Sequence, residues 1–256
     1  MMKDVQNEKD YRNIPINRVG VEGVHYPIIV MDKSKRNQRT IGKITMSVDL
    51  PKDFRGTHMS RFIEVLNKHK NKINPHNIEN MLEDIRIALN AQNAHIDVEF
   101  PYFLEKSSPV SKIKSYMKYN CRFSASKTAE KFDFVIRVEV PVQTVCPCSL
   151  EISEFGAHNQ RALVKISVRM KNLVWIEELI EIAEKAASSP VFTLLKREDE
   201  KYVTENSFKN PRFVEDVARE VVKELKDNEK ITWYRVEVLS YESIHNHNAF
   251  ACIESS

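Results

Sequence analysis

No stretch of the 256 residues holds the roughly 18 consecutive apolar side chains that a membrane-spanning helix requires, so no membrane span is expected. Residues 1–10 lack the apolar core of a secretory signal as well. Only four cysteines are present, which excludes a disulfide-stapled scaffold and, without a signal, points to thiols in a reducing cytoplasm. A strong charge bias is missing too. Thirty-nine basic residues against 36 acidic ones leave a net charge of +3, too little to argue for nucleic acid but no obstacle to an anionic ligand. What remains is an ordinary globular composition, 42% hydrophobic and 29% charged. A chain of this length can bury about three quarters of its unfolded surface without cross-links.

Periodicity gives the fold class. Residues 1–22 are polar and irregular and read as a surface arm. Strands are expected at 25–31 and 40–50. Two helices follow, one with Met59, Phe62, Ile63 and Leu66 on one face and Thr57 placed to cap it, the other with Ile78, Met81, Leu82, Ile85 and Leu89 behind an Asn74-Pro75 start signal. Two more strands are expected near 94–104 and 112–123. The second half repeats the order. Phe134, Ile136, Val138 and Val140 alternate with Val135, Arg137 and Glu139, and Val164, Ile166, Val168 and Met170 alternate with Lys165, Ser167 and Arg169. Helices carry Ile176, Leu179, Ile180 and Ala183, then Val214, Val217, Ala218, Val221 and Leu225. Strands near 231–241 and 247–254 close the chain. The reading is α+β, ββααββ twice, with units at 23–125 and 126–256 related by pattern and not by sequence identity.

If each unit is an antiparallel sheet backed by two antiparallel helices, its three top connections lie at one end. In the second unit these are 141–161, about 188–211 and 241–248. They hold Cys146, Cys148 and His158; Glu198, Asp199, Glu200 and Glu205; and His245 and His247. Thiolate, imidazole and carboxylate are ligands for zinc and its neighbours in the first transition series. With only one C-x-C pair, a closed four-thiolate site is excluded, and Cys121 and Cys252, inside expected strands, read as core thiols. Taken singly, the Cys-Pro-Cys stretch also fits a redox dithiol or two incidental thiols. The histidines also fit solvated turns, and 198–201 a solvated charge run. The placement of all of them at one rim favours a site.

The blocks V-C-P-C-S-L-E-I-S-E-F-G-A-H-N-Q-R-A, L-L-K-R-E-D-E-K-Y-V-T-E, N-P-R-F-V-E-D-V and Y-E-S-I-H-N-H-N-A, with G-T-H-M-S-R-F-I-E at 56–64, resemble GTP cyclohydrolase I of the prokaryotic type IB from about residue 40 onward. One departure is Leu150, where that family commonly has a basic residue. The resemblance implies the tunnelling fold, two ββααββ units per chain, assembled into barrels as an oligomer, expected to be a homotetramer with active sites near subunit interfaces. It implies a divalent metal (Mn, Zn or Fe) held by Cys146, His158, Glu200 and His245. Cys148, with Cys146 and His158, would belong to the catalytic group, and Glu215 would anchor the purine. GTP is the implied substrate, with Arg61, Arg161 and Lys196 as its candidate phosphate contacts, and dihydroneopterin triphosphate and formate are the products. No nucleic-acid or membrane partner is expected. Rival readings are a queuosine-pathway nitrile oxidoreductase on the same fold, a non-catalytic purine or pterin binder with a structural metal, and a thiol redox protein.

Overall fold

The computed structural model describes residue 6 and residues 8–69 and 72–255, so residues 1–5 and 7 of the expected arm lie outside the described residues. The chain divides into two compact units, Met1–Pro101 with Arg122–Val135, and Tyr102–Cys121 with Ile136–Ser256.

In the first unit, β1 (Ile16–Asp32) and β2 (Arg36–Leu50) form a long antiparallel hairpin with Ile28 opposite Thr40. α1 (Met59–Lys68), the two-residue strand β3 (Lys72–Ile73) and α2 (Pro75–Ala88) follow. β4 (Ala94–Ser107), which runs on into the second unit, returns antiparallel to β2 with Ile44 opposite Val98. β3 lies parallel to β1. Alternate residues of the strands point inward, so Ile28, Val30, Ile44, Met46, Ile96 and Val98 are buried, as are Phe62 and Leu66 of α1 and Ile78, Met81, Leu82 and Ile85 of α2. Each such side chain contributes roughly 1.5–3 kcal/mol relative to exposure. Asn74 caps α2 through its side-chain oxygen, which accepts the Asn77 N–H at 3.0 Å, and Pro75 occupies the first turn, where its missing N–H costs nothing. The start of α1 differs from expectation. His58, not Thr57, takes the cap position and makes no capping bond, while Thr57 is buried. β1 also begins at Ile16, within the stretch read as arm.

The second unit takes in the end of β4, most of β5 (Lys114–Lys127) and then β6 (Phe132–Val145), α3 (Pro147–Ile152) and β7 (Asn159–Met170). It continues through α4 (Ile176–Ala186), β8 (Ser189–Pro190), α5 (Arg197–Lys209), α6 (Val214–Lys226), β9 (Ile231–Ser240) and β10 (Ala249–Glu254). β6, β7, β9 and β10 pair antiparallel in that order, with Val138 opposite Ile166, Val164 opposite Val238, and Val238 opposite Ala251. β8 pairs with β6 beside Val142 and Gln143. α6 packs on β9 and β10, and α4 on α6 and β7. The core joins Val138, Val140, Val164, Ile166, Val236 and Val238 to Leu179, Ile180, Val217 and Val221.

Cys121 is buried as expected, and burial, followed by the charges of Glu139 and Glu177, pushes its thiol well up. Cys252 is exposed, contrary to the expectation of a core thiol. On β10, Phe250, Cys252 and Glu254 point away from the helices that cover the alternate residues.

α5 is fixed by one inward acid. Asp199 is fully buried, and its carboxylate accepts the N–H groups of Val110 (2.8 Å), Ser111 (2.9 Å) and Lys196 (2.9 Å) and the Ser111 hydroxyl (2.6 Å). Burial alone would raise this carboxyl; the four donors outweigh it and hold the group well below the usual carboxylate range. Its stabilising effect is therefore complete above the unfolded value of about 4 and is lost as pH falls further. Asp199→Asn, which keeps the size but loses the charge and part of the acceptor capacity, is expected to lower the melting temperature by several degrees at pH 7. The gap between variant and parent should narrow below about pH 4. Thermal unfolding followed across pH 2–8, an interval set by the ordinary carboxylate range, checks both; an equal gap at all pH values would contradict the assignment.

Candidate active site

The three connections expected at one rim of the second unit do meet there, and backbone hydrogen bonds explain why. Val145, the last residue of β6, donates its N–H to the Ser188 hydroxyl (3.1 Å) and accepts the Arg212 N–H at its carbonyl (3.0 Å). Both ends of the α4–α6 connection are thus held to the end of β6. The next residue, Cys146, donates its N–H to the His158 carbonyl (3.1 Å), which closes the excursion between β6 and β7 at its base. The Tyr241 N–H donates to the Arg161 carbonyl (2.9 Å) and ties in the third connection.

Local chemistry then aims the side chains. Cys146 is the N-cap of α3, with Pro147 at the first helical position, and its sulfur accepts the Ser149 N–H at 3.4 Å. The Ser149 hydroxyl accepts the His158 N–H at 3.3 Å, so one serine braces both residues. The His158 Nδ1 lies 2.9 Å from Gln160 Oε1, and Gln160 Nε2 donates to the buried Thr144 hydroxyl at 3.2 Å. With its nitrogen spent on Thr144, the Gln160 amide presents an oxygen to the ring, and an Nδ1–H donor leaves His158 Nε2 with a free lone pair. His245 stands edge-on to His158 at 6.4 Å between ring centroids and stacks on His247 at 5.2 Å.

These groups wall a pocket of about 310 Å³. Cys146, His158, His245 and His247 line it, together with Arg212, just before α6, and Glu215, in its first turn. Glu215 occupies the first turn, where the helix dipole favours an acid. The lining also contains Thr144, Gln160, Ser240 and Glu242, none of which sequence reasoning singled out; the Ser240 hydroxyl donates to Glu242 at 2.8 Å. Glu242 and Gln160 fall inside or beside the quoted motifs, which is the one signal that could have found them.

Other expected residues stand outside this wall. Cys148 is exposed on the first turn of α3. Glu200 is exposed on the first turn of α5, whose inward position belongs to Asp199. Lys196 and Arg161 are exposed and do not line the pocket. Arg61 belongs to the first unit, where its guanidinium donates to the Ala88 carbonyl at the end of α2 (2.7 Å).

Cys146, His158 and His245 offer sulfur and nitrogen donors to one cavity, a set that suits a borderline transition metal. The lone pair left on His158 Nε2 fits that use. Among the described residues, no three His, Cys, Asp or Glu side chains converge closely enough to enclose a metal ion unaided. The donor set therefore fits in kind and is open in arrangement.

The family model described as "Type I GTP cyclohydrolase folE2" matches residues 2–251. A GTP cyclohydrolase FolE2 of Kosmotoga olearia is 63% identical over 253 residues, covering 99% of this chain and 98% of the relative. That of Thermosipho africanus is 59% identical over 254 residues, with 99% and 98% covered. Among solved structures, urate oxidase from Bacillus sp. TB-90 matches with a TM-score of 0.57 at 10% identity, over 94% of this chain and 100% of that one. Uricase from Arthrobacter globiformis matches with a TM-score of 0.53 at 7% identity, over 93% and 92%. At such identities the two structures speak for the fold alone, the tunnelling fold with its paired ββααββ units. The sequence matches, which span nearly the whole chain, go further: the chain belongs to the type I GTP cyclohydrolase FolE2 family.

Proposed function

We infer that this protein is a GTP cyclohydrolase that converts GTP and water to 7,8-dihydroneopterin triphosphate and formate. The product is the pterin precursor of tetrahydrofolate and can equally feed 7-deazaguanine formation. The observation that carries the reading is the sharing of one pocket by Cys146, His158, His245 and Glu215, in a chain with full-length FolE2 relatives.

Glu215 would hold the guanine, its carboxylate accepting hydrogen bonds from N1–H and the 2-amino group. That fixes the base with its imidazole ring free to react, and water adds at C8. The C8 atom leaves as formate, and the ribose carbons supply the new pterin ring. Cys148 is the candidate proton carrier during ring opening; Cys146 and His158 complete the catalytic group. Cys146, His158 and His245, with Glu200, would hold a divalent Mn, Zn or Fe ion, which when bound supplies a water acidified towards neutral pH. Arg161 and Lys196 are the proposed triphosphate contacts from the second unit, and Arg61 would serve from another subunit.

Assembly accords with this reading. Ile152 and Phe155 on the Cys146–His158 excursion, Ile244 beside His245, and Phe250 on β10 are 84%, 97%, 65% and 78% exposed, more apolar surface than one site rim needs. A homotetramer that covers them, and that brings Cys148 and Glu200 into the site, is the proposed form. The units at 23–125 and 126–256 are proposed as two copies of one ββααββ element, the second bearing the chemistry. A cytoplasmic location is proposed from the composition.

Protein stripped of metal should release no formate from GTP, and adding Mn²⁺ or Zn²⁺ separately should restore formate together with the fluorescence of the oxidised pterin. Folded protein that binds guanosine but yields neither product with any metal would sink the reading. Cys148→Ala should abolish turnover while metal content stays at the parental level, whereas Cys146→Ser should lose both. Retained activity in Cys148→Ala would remove that thiol from the mechanism.

A further inference from the structure

Thr144 and Gln160 face each other across β6 and β7, at the strand ends that open into the pocket. None of the roles proposed above falls on either. The Thr144 hydroxyl is almost wholly buried and accepts the Gln160 Nε2–H at 3.2 Å. The amide is thereby held with Oε1 towards His158, 2.9 Å from Nδ1. An amide oxygen can only accept, so the ring nitrogen beside it must carry the proton. A neutral imidazole has one N–H and one lone pair. Here the N–H is spent within the protein, and Nε2 alone is left for the pocket that the ring lines.

We propose that Gln160 is a positioning residue that commits His158 to holding the metal and withdraws it from proton transfer. The proposal rests on the reading of His158 as a metal ligand. A ring that moves protons needs a nitrogen that can take up a proton and pass it to the substrate. A ring that holds a metal gives that nitrogen's lone pair to the ion instead. With Nδ1 spent on Gln160, His158 has one nitrogen to offer and can do only one of these. An oxygen fixed against Nδ1–H serves the ligand role twice. It excludes the tautomer whose proton would block Nε2, and it makes the ring a stronger donor. Both members of the Thr144–Gln160 pair are neutral and sit opposite each other in the β6–β7 register, so the ring is set before any metal arrives. Proton transfer then falls to Cys148, which no such bond commits.

The test measures dissociation constants for Mn²⁺ and for Zn²⁺ by competition with a chromogenic chelator, alongside GTP turnover at saturating metal. Gln160→Leu, which offers no acceptor to Nδ1–H, should weaken metal binding by about tenfold to a hundredfold. Gln160→Glu, whose oxygens only accept, should bind metal at least as tightly as the parent. Thr144→Val, which frees the amide to turn over, should weaken binding by a smaller factor, and it supplies the answer if the leucine variant does not fold. Once saturated with metal, Gln160→Leu should recover the parental kcat. Parental metal affinity in Gln160→Leu, or in Thr144→Val where the leucine variant does not fold, would overturn the proposal. So would a Gln160→Glu enzyme as weak as Gln160→Leu, since the ring would then need a donor beside it. A kcat that stays low at saturating metal would return His158 to proton transfer and overturn it as well. His158→Ala with parental metal affinity would instead overturn the ligand reading, and this one with it.

Discussion

Val145 is where the second unit's site is held together. Its N–H and carbonyl, at the end of a strand, would need partners in any case. Here both partners come from the α4–α6 connection, Ser188 at one end and Arg212 at the other. The following residue then closes the Cys146–His158 excursion. Two adjacent residues therefore set the positions of the thiol, an imidazole and the helix start that bears Glu215. None of these contacts involves a reactive group. The chemistry proposed for this pocket sits on side chains whose backbones are fixed by ordinary strand and turn bonding.

A second layer orients the reactive atoms. Ser149 answers both Cys146 and His158, and the Thr144–Gln160 pair decides which ring nitrogen of His158 faces outward. Thr144 and Gln160 lie on neighbouring strands, so this choice follows from the β6–β7 register. A slip of one residue would leave the two side chains on opposite faces. Strand pairing and ligand geometry are here one constraint.

The sequence showed the fold and its end-to-end logic because alternation and helical spacing are written into the strands and into the four long apolar-striped helices. α5 was not legible. The helix is polar nearly all round and is anchored through Asp199, so no period-3.6 apolar stripe exists to find. The acid run at 198–200 was read as one cluster, yet a helix turns successive residues about 100° apart, and the middle one faces inward. Cys252 was misplaced because alternation tells which residues share a face but not which face is covered on an outer strand. The blocks V-C-P-C and I-H-N-H were visible as motifs. Gln160, Arg212 and Glu242 lay inside the same blocks but were not singled out, since their importance lies in which strand end or helix start they meet in space.

The excursion from Cys146 to His158 is closed at its base by a single backbone bond, and its middle, from Glu151 to Phe155, is exposed throughout. Residues at the two ends answer to the sheet; those at the tip are exposed and tie back through the Ser153 N–H to the Ser149 carbonyl at 3.1 Å. Length and sequence at that tip can drift without moving the thiol or the imidazole. In the oligomer proposed above, the tip is the part of the site through which natural variation could refit a neighbouring subunit.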